Sequence, residues 1–165
     1  MAKNKTPITN AMRLLQTAKI EFEPIFYEHE GEIGDNFGEE IARLTGIDPN
    51  MSFKTLVVRG ESKKLMTVCI PVNSELDLKK FAMVAGEKKV EMIHVKELLG
   101  LTGYIRGGVS PVGMKKKYPT YIDASAGQFE RIGISGGQCG VKLMLSPDDL
   151  IKMCDAKLCD IKKDK

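Results

Sequence analysis

Apolar residues at Ile8, Ala11, Met12, Leu15 and Ala18 recur at helical spacing. They predict an amphipathic helix with Thr6 as its cap and Pro7 at its first position. A short strand is expected over 22–29, broken early by Pro24, and 31–36 reads as a polar loop. Phe37, Ile41 and Leu44 then share one face of a second helix over 37–45, stopped by Gly46. Two β-branched runs, 53–59 and 64–71, flank Gly60-Glu61-Ser62-Lys63 and predict a hairpin. Ser74-Glu75-Leu76-Asp77 resembles a capping box with Asp in place of the usual Glu or Gln. It opens a third helix whose core stripe is Leu78, Phe81, Ala82 and Ala85, with Gly86 as its stop.

Further along, a helical turn over 95–99 leads into the glycine-rich stretch 103–113. Strands are expected over 120–123, 129–135 and 141–145, the last two joined through Gly136-Gly137-Gln138-Cys139-Gly140. Ser146-Pro147-Asp148-Asp149 combines a cap, a first-position proline and acids at the positive end of the helix dipole. Leu150, Ile151, Cys154 and Leu158 would face the core of that last helix. Hairpins dominate and helices do not alternate with strands, so the pattern is α+β with a mostly antiparallel or mixed, curled sheet rather than a doubly wound parallel one. No repeat, linker or composition shift divides the chain, and residues 1–165 are expected to form a single domain.

Composition narrows the function classes. With 42% hydrophobic residues in 165 positions, the chain can bury a substantial core. No run approaches the roughly 18 apolar residues of a membrane span, and no apolar h-region follows the basic start, so neither membrane nor secretory signal is expected. The net charge of +3 is too small to drive polyanion binding alone. Lysine pairs at 63–64, 79–80, 88–89 and 162–163 read as solvated faces, while Lys115-Lys116-Lys117 follows the glycine-rich loop directly. Cys69, Cys139, Cys154 and Cys159 form no CxxC and neither His29 nor His94 adjoins them. That spacing argues against a metal site and fits reduced thiols in the cytoplasm.

Three places carry candidate chemistry. Lys54 shares a strand face with Leu56 and Val58. Were that face interior, the ammonium would need an anionic or carbonyl partner; near the strand end it would reach water instead. Gly107-Gly108-Val109-Ser110-Pro111-Val112-Gly113 matches neither a P-loop nor a Rossmann fingerprint. Its backbone can still approach a ligand closely and offer N–H groups to an oxyanion, or it is an irregular turn. Ser135-Gly136-Gly137 poses the same choice between a ligand-facing turn and a simple hairpin connection. Tyr27 reads as a core or rim phenol, and no Ser/His/Asp or Cys/His arrangement is visible.

In order and spacing, Phe53-Lys54-Thr55-Leu56-Val57, Leu76-Asp77-Leu78-Lys79-Lys80, Lys88-Lys89-Val90-Glu91-Met92 and Thr102-Gly103-Tyr104 resemble the YbaK/EbsC family. So do the two glycine motifs, and the likeness spans nearly the whole chain. The resemblance implies a mixed, mostly antiparallel sheet curled into a barrel-like core with surrounding helices. It also implies trans-editing: release of cysteine from mischarged Cys-tRNA(Pro), and from Cys-tRNA(Cys) as a further target, with prolyl-tRNA synthetase as partner and no cofactor. It places the family's essential lysine on Lys54, its GxxxP loop on Gly107 through Pro111, and a pocket tyrosine on Tyr27. Ser110, Pro111, Ser135, Gly136 and Gly137 are expected to bind substrate, and the Gly107 and Gly108 amides to face the oxyanion. Where many members carry basic residues after the serine-glycine-glycine motif, this chain has Gln138-Cys139.

The family mechanism implies that the substrate's own thiol attacks its ester, leaving a thiolactone; a water nucleophile would make the enzyme a hydrolase. Alternatives are hydrolytic editing of Ala-tRNA(Pro) and a non-catalytic module for tRNA ends or nucleotides. The oligomeric state stays open between monomer and weak homodimer.

Overall fold

A computed structural model describes residues 8–29, 33–34 and 36–164. Its strands lie in two sheets. The smaller is antiparallel, in the order β1 (Glu23–Phe26), β7 (Val141–Leu145), β6 (Ile132–Ser135). The larger is mixed and five-stranded, in the order β4 (Val90–Met92), β2 (Phe53–Gly60), β3 (Leu65–Pro71), β5 (Thr120–Asp123), β8 (Lys157–Cys159). Both β3–β5 and β5–β8 are parallel pairs. An isolated parallel bridge between Ser52 and Gly133 joins the two sheets. The strands of the described residues thus form two sheets linked by that bridge where one curled sheet is expected, and chain crossovers that lay β5 and β8 parallel on the β3 side of the hairpin make the larger sheet mixed.

The hairpin itself forms in the predicted place, pairing Phe53 with Pro71 through Arg59 with Leu65. Lys63 takes the left-handed conformation that its tight turn needs. Both faces of this hairpin are interior. Phe53 and Cys69 join a core built on Leu15, Ile132, Leu143 and Leu150. Val58, Val68 and Ile70 join a second core around Phe81 and Tyr121. Two-sided burial explains the near-continuous apolar sequence of β3, which an exposed hairpin would not carry.

Helices α1 (Asn10–Thr17), α2 (Phe37–Thr45), α3 (Leu78–Ala85), α4 (Leu98–Thr102) and α5 (Pro147–Cys154) surround the sheets. Thr9 caps α1, its hydroxyl accepting from the Met12 amide; the expected cap Thr6 and Pro7 lie outside the described residues. Asp77, not Ser74, caps α3, because its carboxylate accepts from the Lys79 and Lys80 amides. Ser146 and Pro147 open α5 as predicted. Leu44 and Leu78 are exposed although their spacing put them on core faces. Leu158 leaves the helix altogether, since α5 ends at Cys154 and Leu158 lies exposed on β8. Among the described residues no helix is long and apolar enough to cross a membrane.

Candidate active site

One cavity of about 370 Å³ opens between the two sheets and α2. Its size falls within the roughly 300–1,000 Å³ of small-molecule sites. Strand β2 supplies Lys54 and Thr55, β6 supplies Ser135, β7 supplies Lys142, and the loop before Val109 supplies Arg106 and Gly107. Tyr27 closes one side, while Ile33, Phe37, Ile41, Val72 and Leu98 make much of the wall apolar. Among the described lining residues there is no carboxylate, imidazole or thiol.

Lys54 is half-buried, and no hydrogen bond or ion pair engages its ammonium among the described residues. Burial lowers its pKa from the ordinary lysine value, and the charges of Glu39 and Glu75 pull partly in the opposite direction. It neither escapes into water nor finds a close partner, so its charge is available to whatever enters the cavity.

The glycine loop divides. Gly107 lines the cavity with φ +88°, a left-handed conformation that glycine adopts without strain. Gly108 does not line it. Its amide donates to the Ile105 carbonyl at 2.9 Å, closing a turn, so the expected oxyanion donor is already engaged. A Cβ on Gly108 would lie 2.7 Å from the Gln138 Cα, which shows why that position packs the loop against the β6–β7 turn.

Ser110 is fully buried and its hydroxyl accepts from the Val112 amide, away from the cavity lining. Pro111 borders a separate, smaller cavity with Lys116 and Lys117, and its carbonyl lies 3.5 Å from the Cys154 thiol. Gly136 and Gly137 form the turn itself: the Gly136 amide donates to Val141 and the Gly137 amide to the Ser135 hydroxyl. Of the sequence-predicted residues, the fold therefore brings Tyr27, Lys54, Gly107 and Ser135 to one cavity. It leaves Gly108, Ser110, Pro111, Gly136 and Gly137 outside the lining.

Tyr27 follows β1, and its amide donates to the Gly140 carbonyl at 2.9 Å. Burial pushes its phenol up to about 12, so it is a neutral hydrogen-bonding group at physiological pH. Lys142 was not anticipated. Only 6% of its surface is exposed, and burial alone lowers its amine to about 8. Its neighbours Val141, Leu143 and Leu145 belong to the core, so strand alternation turns Lys142 to the cavity side.

The family model for the aminoacyl-tRNA editing domain matches residues 36–153. Over 162 residues, 98% of each chain, the sequence is 41% identical to EbsC of Enterococcus faecalis, by name a candidate Cys-tRNA(Pro)/Cys-tRNA(Cys) deacylase. The fold is similar to the crystal structure of a candidate trans-editing enzyme for prolyl-tRNA synthetase, with TM-score 0.75 and 22% identity, covering 96% of this chain and 100% of that one. A crystallised hypothetical protein is similar with TM-score 0.82 and 22% identity, over 92% of this chain and 97% of the other. On the extent of the sequence match, with Lys54 and Gly107 meeting at one cavity, the chain belongs to the YbaK/EbsC family of aminoacyl-tRNA editing domains.

Proposed function

We propose that the protein is a trans-editing deacylase that releases cysteine from Cys-tRNA(Pro), and from Cys-tRNA(Cys) as a further substrate. The observation that carries the reading is the lining of the cavity: desolvated ammonium groups and a glycine backbone, with no carboxylate, imidazole or thiol among the described residues. Such a site has no thiol nucleophile, and no imidazole or carboxylate to activate the Ser135 or Thr55 hydroxyl, but it can orient an ester and stabilise developing negative charge. Cysteine brings its own nucleophile. Its thiol attacks the ester carbonyl, the C–S bond forms as the bond to the ribose oxygen breaks, and a thiolactone leaves the tRNA. In this reading Lys54 anchors the terminal adenosine phosphate or the ester carbonyl. The Gly107 amide, which donates to no backbone carbonyl among the described residues, faces the oxyanion. Tyr27 and Ser135 line the amino-acid end.

Editing after charging is the general remedy where pocket shape alone separates amino acids too weakly. A pocket discriminates a methylene-sized difference by only ~1–3 kcal/mol, too little for faithful charging. The net charge of +3 gives the chain little affinity of its own for a polyanion, which supports delivery of the tRNA by prolyl-tRNA synthetase in the cytoplasm. The test is deacylation of Cys-, Ser- and Ala-charged tRNA(Pro) side by side. Loss of the cysteinyl ester with survival of the other two is expected. Hydrolysis of the alanyl ester would assign a water nucleophile, and tRNA binding without turnover of any ester would make the protein a binding module.

A further inference from the structure

Lys142 is the most deeply buried cation at the cavity and has no role in the reading above. Its stem passes Gly133, where a Cβ would lie 3.8 Å from the Lys142 Cδ, and its register partners on β1 and β6 are Ile25 and Ser135. Neither carries charge. The titratable groups sharing the cavity are Lys54 on β2, Arg106 in the glycine loop and Tyr27 after β1, and no hydrogen bond or ion pair engages the Lys142 amine among the described residues. An amine held in this way, in a cavity shared with two other cationic side chains and a neutral phenol, lacks a counter-ion among the described lining residues until something acidic enters.

We propose that Lys142 takes the thiol proton of the cysteinyl ester and then holds the thiolate as its counter-ion while the sulfur attacks. The inference rests on the deacylase reading and supplies what that reading leaves open, the means of ionising the nucleophile. The neutral amine accepts the S–H proton. The sulfur lone pair forms the C–S bond, the carbonyl-to-ribose C–O bond breaks with its electron pair, and the ribose oxygen takes the proton back from the ammonium. Burial keeps the amine close to the ordinary thiol value of about 8.5, so the proton moves between nearly matched partners. It also makes the site selective, since a serine hydroxyl is far too weak an acid to give its proton to this amine.

The test uses a non-cleavable amide analogue of 3′-cysteinyl adenosine, bound to the intact protein, with thiolate formation followed by its ultraviolet absorbance against pH. Turnover of Cys-tRNA(Pro) is measured on the same variants. Wild type is expected to ionise the bound thiol below its ordinary value. Lys142→Met, an uncharged side chain of similar length, should bind the analogue without lowering that value and lose about 10²-fold or more in turnover at neutral pH. Lys142→Arg restores a cation but not a removable proton, so thiolate should reappear while turnover stays low. The inference is overturned if Lys142→Met ionises the bound thiol as wild type does, or turns over at the wild-type rate. Absence of Cys-tRNA(Pro) turnover by wild type would instead overturn the deacylase reading, and this inference with it.

Discussion

Lys54 on β2 and Lys142 on β7 reach the same cavity from different sheets, and neither ammonium meets a carboxylate there among the described residues. Burial lowers both amines, Lys142 the more deeply enclosed of the two. A half-buried and a buried cation at a cavity with no acid in its described lining are costly to the fold, and that cost is understandable where the ligand is an anion-bearing ester. Replacing Lys54 by Met should therefore remove activity rather than structure. We expect Lys54→Met to fold and to lose roughly 10²–10³-fold in Cys-tRNA(Pro) deacylation, the size of one lost charge-stabilising donor. Single-turnover kinetics beside a thermal melt check this; wild-type turnover in a folded variant would remove Lys54 from the mechanism.

Most of the elements were legible because their local signals agree with the tertiary outcome. The β2–β3 hairpin and the Ser146–Pro147 helix start appear where pattern and capping chemistry put them. The edge strands β4 and β8 escaped because three-residue strands have too short a period to read, and β8 exists only by parallel pairing with β5. Lys54 stood out as a lysine within a β-branched run. Lys142 also lies within an apolar run, but its alternation with Val141 and Leu143 is equally the pattern of a solvent-facing strand position. Only the packing of β7 against the neighbouring sheet converts that side into a cavity wall. The glycine loop failed differently: composition marks where backbone comes close, yet not whether ligand or protein is what it approaches.

That distinction separates two neighbouring glycines. A Cβ at Gly108 would press on Gln138 backbone atoms at 2.7 and 3.1 Å, which cannot swing aside as a side chain can. Gly108→Ala should cost about 1–3 kcal/mol of stability, typical of overpacking. At Gly107 the same methyl would lie 3.1 Å from the flexible end of Ile33, at φ +88°, on the cavity wall. Gly107→Ala should therefore carry a larger loss of deacylation relative to its loss of stability. Denaturation midpoints set against turnover rates give the comparison, and equal ratios for the two variants would contradict it.

Asp123 makes a second testable support, remote from the cavity. It is 2% exposed, and its carboxylate accepts from the amides of Ser125 at 3.0 Å, Ile161 at 3.1 Å and Lys162 at 3.3 Å. Those bonds tie the segment after β8 back onto the end of β5. Asp123→Ala would orphan the buried Ile161 amide and cost on the order of 3 kcal/mol, whereas Asp123→Asn keeps an acceptor oxygen and should cost less. Hydrogen exchange at the Ile161 and Lys162 amides should accelerate in the alanine variant; unchanged protection there would show that the tether is not what holds this segment.

Lys142 also predicts how stability varies with pH, independently of any substrate. Its amine lies at about 8 in the folded chain against 10.5 for the unperturbed group, so both states carry the proton below about pH 8. The full penalty of burying the ammonium applies there. Between about 8 and 10.5 the unfolded chain binds the proton and the folded chain does not, so this group makes stability rise with pH across that window. The difference between the two values corresponds to about 3 kcal/mol at most. Lys142→Met should accordingly be more stable than wild type at pH 7, and its advantage should shrink as pH climbs from 8 toward 10.5. Urea denaturation of both proteins at a series of pH values reads this directly. An advantage that stays constant across the window would mean the amine is solvated in the folded chain, and its proposed partnership with a substrate thiol would lose its physical basis.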